Sequence, residues 1–389
     1  MSALRRRRTA AVAVILPAVL LAAGCGGTPA TPPPATQAAP PAPSLNTSLD
    51  TTAGTWAAVV MGGSAAQENA FWQLFIRPAR SARWRLVTPP GTADNGGLVL
   101  ADGSGPALVT GFRPSQDLTF TPLIQTSNGG QAWSSLDPLD AALASTPDAL
   151  AVNPASGQLL ALLAGGTVQT AAPGGTTWHT LASPQALAAT PAGQHCGLTA
   201  LTAGAYTPAG ITVLAGTCAR PGTAGIFTAG NATWQAAGPA LPAALASQPV
   251  TVARLTRTAQ GITALLIAGT GPGTSLLAAW SADGSHWTVS PPLALHGATL
   301  TSASFGPGGT TAIITTAKHG QSITPGGSSW EPLPALPSGT ATLAPGADGT
   351  TDALAVHSGT LTVWQHAAGA TTWTTIQVIN VPIPYGSSS

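Results

Sequence analysis

Beyond residue 45 the chain breaks into short apolar runs separated by clusters of Gly, Pro, Asn and Ser. That spacing is expected of antiparallel sheet. Within residues 98–136 the pattern predicts four strands, Leu98–Ala101, Ala107–Gly111, Phe120–Gln125 and Ala132–Leu136. A later unit repeats it with Thr251–Leu255, Ile262–Ala268, Ser275–Trp280 and Trp287–Val289. Small residues dominate the first strand of such units, which suits crowding around a central axis. Proline after the fourth strand stops it, because its ring removes a ladder donor.

The units are counted by tryptophan. Trp84, Trp133, Trp178, Trp234, Trp287, Trp330 and Trp373 are spaced 49, 45, 56, 53, 43 and 43 residues apart. Most follow a Gly-rich turn, such as Asn128-Gly129-Gly130, Pro173-Gly174-Gly175, Asp283-Gly284 or Pro325-Gly326-Gly327, and most precede a proline. Self-similarity at this period, with one turn and one aromatic per unit, predicts an all-β, seven-bladed β-propeller of four-stranded antiparallel blades over residues 45–386. Residues 387–389 are expected to form a disordered tail. The tryptophans are expected on the outer strands, covering the gap to the neighbouring blade.

Residues 1–24 read as an export signal. Arg5 to Arg8 form a positive stretch, followed by an Ala-rich apolar segment too short to span a membrane. Leu21-Ala22-Ala23-Gly24-Cys25 resembles the bacterial lipobox, which implies cleavage before Cys25, a lipid on its sulfur and an extracytoplasmic, membrane-anchored location. Residues 25–44, rich in Pro, Ala and Thr, cannot build a core and favour an extended tether. In an oxidising compartment disulfides persist. Pairing 196–203 with 211–218 as a hairpin about residue 207 sets Cys196 opposite Cys218, within disulfide reach.

Only 6% of residues are charged. Without the four leader arginines, nine basic and twelve acidic residues remain, about −3 at neutral pH. No basic face suits nucleic acid, and a monomer is expected.

Thr126-Ser127-Asn128-Gly129-Gly130-Gln131-Ala132-Trp133 and Ser281-Ala282-Asp283-Gly284-Ser285-His286-Trp287 resemble the Asp-box, or BNR, repeat, Ser-x-Asp-x-Gly-x-Thr-Trp, of sialidase-like propellers. The chain also resembles WD40- and YVTN-like propellers. The resemblance implies that Asn128, Gly130 and Trp133, with Asp283, Gly284 and Trp287, are structural. The short Asn or Asp side chain accepts turn N–H groups, and glycine supplies a positive φ. In that family the boxes lie peripherally, on the face opposite the ligand.

The sialidase catalytic set is not recognisable. The only tyrosines are Tyr206 and Tyr385, and the only glutamates Glu68 and Glu331. No facing carboxylate pair, as glycosidases need, is evident from the sequence. Seven dispersed histidines lack metal-ligand spacing. No catalytic residue, cofactor or metal is therefore expected.

Scarce charge collects in the loops joining second and third strands: Gln67 and Glu68, Arg113 and Asp117, Arg220, Lys318 and His319. These loops share the face where propellers commonly bind ligands, so a glycan, peptide or protein ligand is expected there. Arg77, Arg80, Arg83 and Arg85 form a second basic patch facing a membrane or partner. The sequence thus reads as a lipid-anchored binding or scaffold module. A glycan-active hydrolase is one alternative. The other is an assembly factor for a membrane complex, since the lipoprotein plan also resembles the photosystem-assembly propellers.

Overall fold

The computed structural model describes residues 48–61, 71–89, 98–103, 107–112, 123–135, 147–173, 177–230, 233–357 and 359–381. The leader, the tether with Cys25, the 387–389 tail, Tyr385, Gln67, Glu68, Arg113 and Asp117 lie outside the described residues.

The chain folds as successive runs of four antiparallel strands. The first comprises β1 (Ser48–Thr51), β2 (Gly54–Met61), β3 (Phe71–Pro78) and β4 (Arg85–Leu86). The second has β5 (Leu98–Asp102), β6 (Leu108–Phe112), β7 (Leu123–Thr126) and β8 (Ser134–Ser135). Next come β9 (Ala149–Val152), β10 (Leu159–Leu162), β11 (Val168–Ala171) and β12 (His179–Ala182). The fourth run is β13 (Leu198–Tyr206), β14 (Thr212–Cys218), β15 (Gly225–Ala229) and β16 (Trp234–Ala236). The fifth is β17 (Val250–Thr258), β18 (Gly261–Ala268), β19 (Ser275–Ser281) and β20 (Trp287–Val289), trailed by a short β21 (Leu293–Ala294). The sixth is β22 (Leu300–Phe305), β23 (Thr311–Thr315), β24 (Gly320–Ile323) and β25 (Glu331–Pro332). The last is β26 (Thr342–Pro345), β27 (Thr351–His357), β28 (Thr360–His366) and β29 (Thr374–Asn380).

Each run shares an apolar layer with the next. Leu49, Trp56 and Ile76 pack with Leu100 and Leu108 of the second run, whose Ala101 and Val109 meet Leu150 and Trp178 of the third. The series continues through the later runs. It closes where Leu354 and Val363 pack on Phe75 and Trp84 of the first. No exchanged strand is needed, because both terminal runs are complete in themselves.

Tryptophan placement carries a detail the spacing did not reveal. Several indoles stand at or just before the fourth strand and donate to backbone of the preceding run. Trp133 Nε1 reaches the Val87 carbonyl at 3.1 Å, Trp330 the Pro291 carbonyl at 3.0 Å and Trp373 the Pro334 carbonyl at 3.3 Å. Trp84, with no run before it, instead donates to Asp352 of the last run at 2.8 Å. Hydrogen bonding thereby adds direction to the apolar packing.

Three features depart from the sequence pattern. Separate four-stranded sheets are expected throughout, yet the described residues form six sheets, one of nine strands. β15 pairs with β14 only over Val213–Gly216, leaving Thr217 and Cys218 free on that edge. Val250 and Thr251 of β17 occupy it, and the Thr217 and Thr251 hydroxyls meet at 3.0 Å.

Residues 184–196 form two short helices, α1 (Pro184–Ala188) and α2 (Pro191–Cys196). Each has a hydroxyl N-cap, Ser183 or Thr190, followed by proline at the first helical position. Cys196 thus ends a helix rather than standing in a strand. Bulges in the β13–β14 ladder set Leu198, not Cys196, opposite Cys218. The disulfide nevertheless forms, with Cα atoms 5.3 Å apart.

Finally, β8 is shorter than the expected Ala132–Leu136. The Gln131 and Ala132 amides bond to Asn128 Oδ1 at 3.0 and 2.9 Å, which removes them from the ladder.

Candidate functional site

The first strand of each run lies nearest the centre, and the ends of several converge. Asp50–Thr52 after β1, Asp102 and Gly103 after β5, Thr256–Gln260 after β17 and Phe305–Gly308 after β22 line a bowl of about 480 Å³. Pro154 and Pro208 complete its rim. This opening lies among the turns joining first and second strands. It is therefore on the side of the Asn128 and Asp283 turns, not on the face of the Arg220 and Lys318 loops.

The floor is a charged clamp. Arg257 of β17 reaches from the fifth run to the second, where its Nη2 meets Asp102 Oδ2 at 2.6 Å. The same nitrogen donates to the carbonyls of Asp102 and Gly103 at 3.1 and 2.7 Å. Three acceptors on one side fix the guanidinium. Beneath it, Arg254 is buried, and burial lowers its pKa to about 10. The space there is only about 30 Å³, lined by Leu49, Leu100, Leu150, Tyr206 and Leu255. That is room for about one water, so the bowl has a bottom. Tyr206 donates to Gln158 Oε1 at 3.2 Å, and burial pushes its hydroxyl up to about 12.

Two carboxyls face this bowl. Asp50 Oδ1 accepts from Thr55 Oγ1 at 2.6 Å. Burial raises Asp50 above its ordinary value, against the opposing pull of Thr55 and Arg77. Asp102 is pushed up to about 7, by burial first and by the nearby Asp50 charge to a lesser degree. A 2.6 Å contact with arginine would by itself lower this carboxyl. Desolvation near the narrow axis outweighs it. Near neutral pH Asp102 is thus poised between a proton donor and a charged acceptor.

The bowl went unread in the sequence because Asp50, Asp102 and Arg257 belong to three runs. The only local signal is that each stands at the end of an apolar first strand, where the chain points towards the axis. No group of three or more His, Cys, Asp or Glu among the described residues is arranged to hold a metal ion.

The sequence-predicted positions fall elsewhere. Arg220 is exposed beside the disulfide, its amide donating to the Cys196 carbonyl at 3.0 Å. Lys318 and His319 form the turn between β23 and β24, beside a different cavity, which His319 lines and Arg220 does not. The arginine patch divides. Arg77 is paired with Asp352 at 2.7 Å and lies over the Trp84 ring, and Arg85 donates to the Gly129 carbonyl at 2.6 Å. Arg80 and Arg83 are exposed.

In the two Asn/Asp turns the side chains clamp backbone. Asp283 Oδ1 accepts from the Ser285 and His286 amides at 2.8 and 2.9 Å, and its other oxygen meets His286 Nδ1 at 2.6 Å. The His286 side chain, then the amides, hold Asp283 well below the usual carboxylate range. Gly130 and Gly284 have φ of 79° and 82°.

No protein-family profile and no curated protein matches the chain. Among solved structures it resembles the Cps50 (Swd1) β-propeller domain of Myceliophteria thermophila. That match has 12% identity and a TM-score of 0.50 over 83% of this chain and 97% of that one. The fold is a β-propeller. A Lactobacillus plantarum protein matches with 10% identity and a TM-score of 0.50, over 84% of this chain and 95% of its own. A structure of YCF48 bound to D1 peptide aligns at 15% identity and a TM-score of 0.47, over 85% and 95% of the two chains. Identities this low speak to the propeller architecture alone, which hosts many activities.

Proposed function

We propose that this chain is a seven-bladed, extracytoplasmic binding propeller, tethered to the bacterial membrane by lipid on Cys25, that holds a polar ligand in its axial bowl without transforming it. The convergence of Asp50, Asp102 and Arg257 on one floored cavity of about 480 Å³ carries the reading. Carboxyl acceptors, the Gln260 amide and the Thr51, Thr52 and Thr258 hydroxyls around it suit a ligand rich in hydroxyl or amide groups, a glycan or a peptide. Arg257, committed to three acceptors, acts as a rigid floor rather than a free anion receptor. The Cys25 tether rests on the lipobox-like sequence.

One observation favours the hydrolase alternative. Two carboxyls face a common cavity, and one of them, Asp102, titrates near neutral pH. Such a pair is what glycosidic hydrolysis uses.

Glycan and peptide arrays, followed by fluorogenic glycosides, separate the two. Saturable binding that is lost in Asp50→Asn or Gln260→Ala, with no turnover, supports the binding module. Turnover abolished by Asp102→Asn would overturn it. The tether is tested by N-terminal mass spectrometry and by release of Cys25→Ala into the medium. The assembly-factor reading now rests on Arg80 and Arg83, since Arg77 and Arg85 serve the fold. A stoichiometric membrane partner lost on their joint substitution would support it.

A further inference from the structure

A second cavity, of about 580 Å³, lies on the opposite side from the axial bowl, between the β21–β22 connection and the β23–β24 turn. Its chemistry is one-sided. Leu293 and Leu295 supply an apolar wall, His296, His319, Gln321 and two threonines are its polar residues, and no Asp or Glu lines it. Lys318, the only lysine in the chain, sits between two lining residues, Ala317 and His319. Two of the seven histidines of the sequence thus line one groove, and its sole lysine stands in the turn beside them.

The backbone gives an independent mark. Among the described residues only His296 and Lys318 are non-glycine residues at positive φ, 50° and 57°; His296 lines this groove and Lys318 lies between two of its lining residues. His296 follows Leu295 in a tight turn closed by the Ala298 amide on the Leu295 carbonyl at 2.9 Å. Lys318 ends the hairpin turn closed on the Thr315 carbonyl at 2.8 Å, the left-handed position that glycine or asparagine fills most easily. Glycine fills many other left-handed positions of this chain. At these two a long basic or imidazole side chain is carried at a cost in backbone strain, a pattern that clusters at ligand sites.

We propose that this groove is a binding site for an oxyanion head, carboxylate or phosphate, carried on a short apolar body. From the turn at the rim Lys318 offers three N–H donors, and each lining imidazole at least one. Charge-assisted bonds from these groups hold the head, while Leu293 and Leu295 take the body. The site is separate from the axial bowl and stands or falls independently of it.

Calorimetric titration of the full chain with acetate, hexanoate and hexyl phosphate tests this. Hexanoate is expected to bind at least about tenfold more tightly than acetate, from its added methylenes. Lys318→Gly and His319→Ala are each expected to weaken hexanoate about tenfold through the lost charge-assisted bond. Lys318→Gly should keep or raise the melting temperature, since glycine relieves the positive φ, so weaker binding cannot be assigned to misfolding. A preference for hexanoate or for hexyl phosphate supports the site and identifies which head it takes. No binding of either at millimolar concentration, or binding that survives both substitutions, would overturn it.

Discussion

Asp352 is the residue on which closure between the last and first runs should depend most. Its side chain is fully buried and accepts from Arg77 Nη1 at 2.7 Å, Trp84 Nε1 at 2.8 Å and Gln365 Nε2 at 3.0 Å. Burial raises its pKa even though all three partners favour the charged form. The pair therefore works against a large desolvation cost and is vulnerable to loss of either member. Asp352→Ala leaves a guanidinium only 15% exposed, an indole N–H and an amide without their acceptor. Removing one partner of a buried ion pair costs about 3–5 kcal/mol, and an orphaned neutral donor about 1 kcal/mol. These losses overlap, so about 4 kcal/mol is expected. At about 2.1 cal/mol/K per residue over roughly 340 residues, that lowers the melting temperature by about 6 °C. Urea and thermal denaturation followed by circular dichroism measure it. Hydrogen exchange should show the earliest opening at β2, β28 and β29. The double variant Arg77→Met with Asp352→Leu replaces both charges by apolar groups and should be less destabilised than Asp352→Ala. An Asp352→Ala protein within about 1 kcal/mol of the parent, or a double variant no better than the single, would refute the seam argument.

Asp102 has a pKa raised from 3.8 to about 7, so the folded state binds its proton more tightly than the unfolded chain. Stability should therefore fall as pH rises from about 4 to 7, by up to about 4 kcal/mol, and then level off. Asp102→Asn should flatten that slope in urea titrations across the window, and an unchanged slope would count against the burial argument. Gly130→Ala should destabilise by more than about 2 kcal/mol. Its Cβ would meet Val87 Cβ at 2.6 Å at a φ of 79°, and an unchanged denaturation midpoint would contradict that packing. Replacing Cys196 and Cys218 together by serine opens a link 22 residues apart and should cost about 3 kcal/mol. A melting temperature equal to that of the intact protein would show the bridge to be idle.

The strand pattern was legible where local chemistry sufficed. Trp287–Val289 is found as expected, and β18 and β19 differ from their expected bounds by one residue. The helices at 184–196 were overlooked although Ser183-Pro184 and Thr190-Pro191 are N-cap signals. Of this stretch the strand pattern assigns only Cys196, as the first residue of 196–203. The division of the arginine patch has another reason. Alternation along a strand says which side a residue faces, but not that Arg77 would find Asp352 some 275 residues away.

By itself the sequence determined the β architecture, the repeat and the turn chemistry. Each rests on contacts among residues close in the chain: alternation, glycine at positive φ, a side chain capping its own turn. Only the tertiary structure decided what stands at the axis. Asp50, Asp102 and Arg257 come from strands of three different runs, and no spacing along the chain encodes their meeting. The same holds for the Asp102 proton, which is governed by burial between runs rather than by its neighbours in sequence. Local physics sets the repeated unit, and closure of the series sets the site.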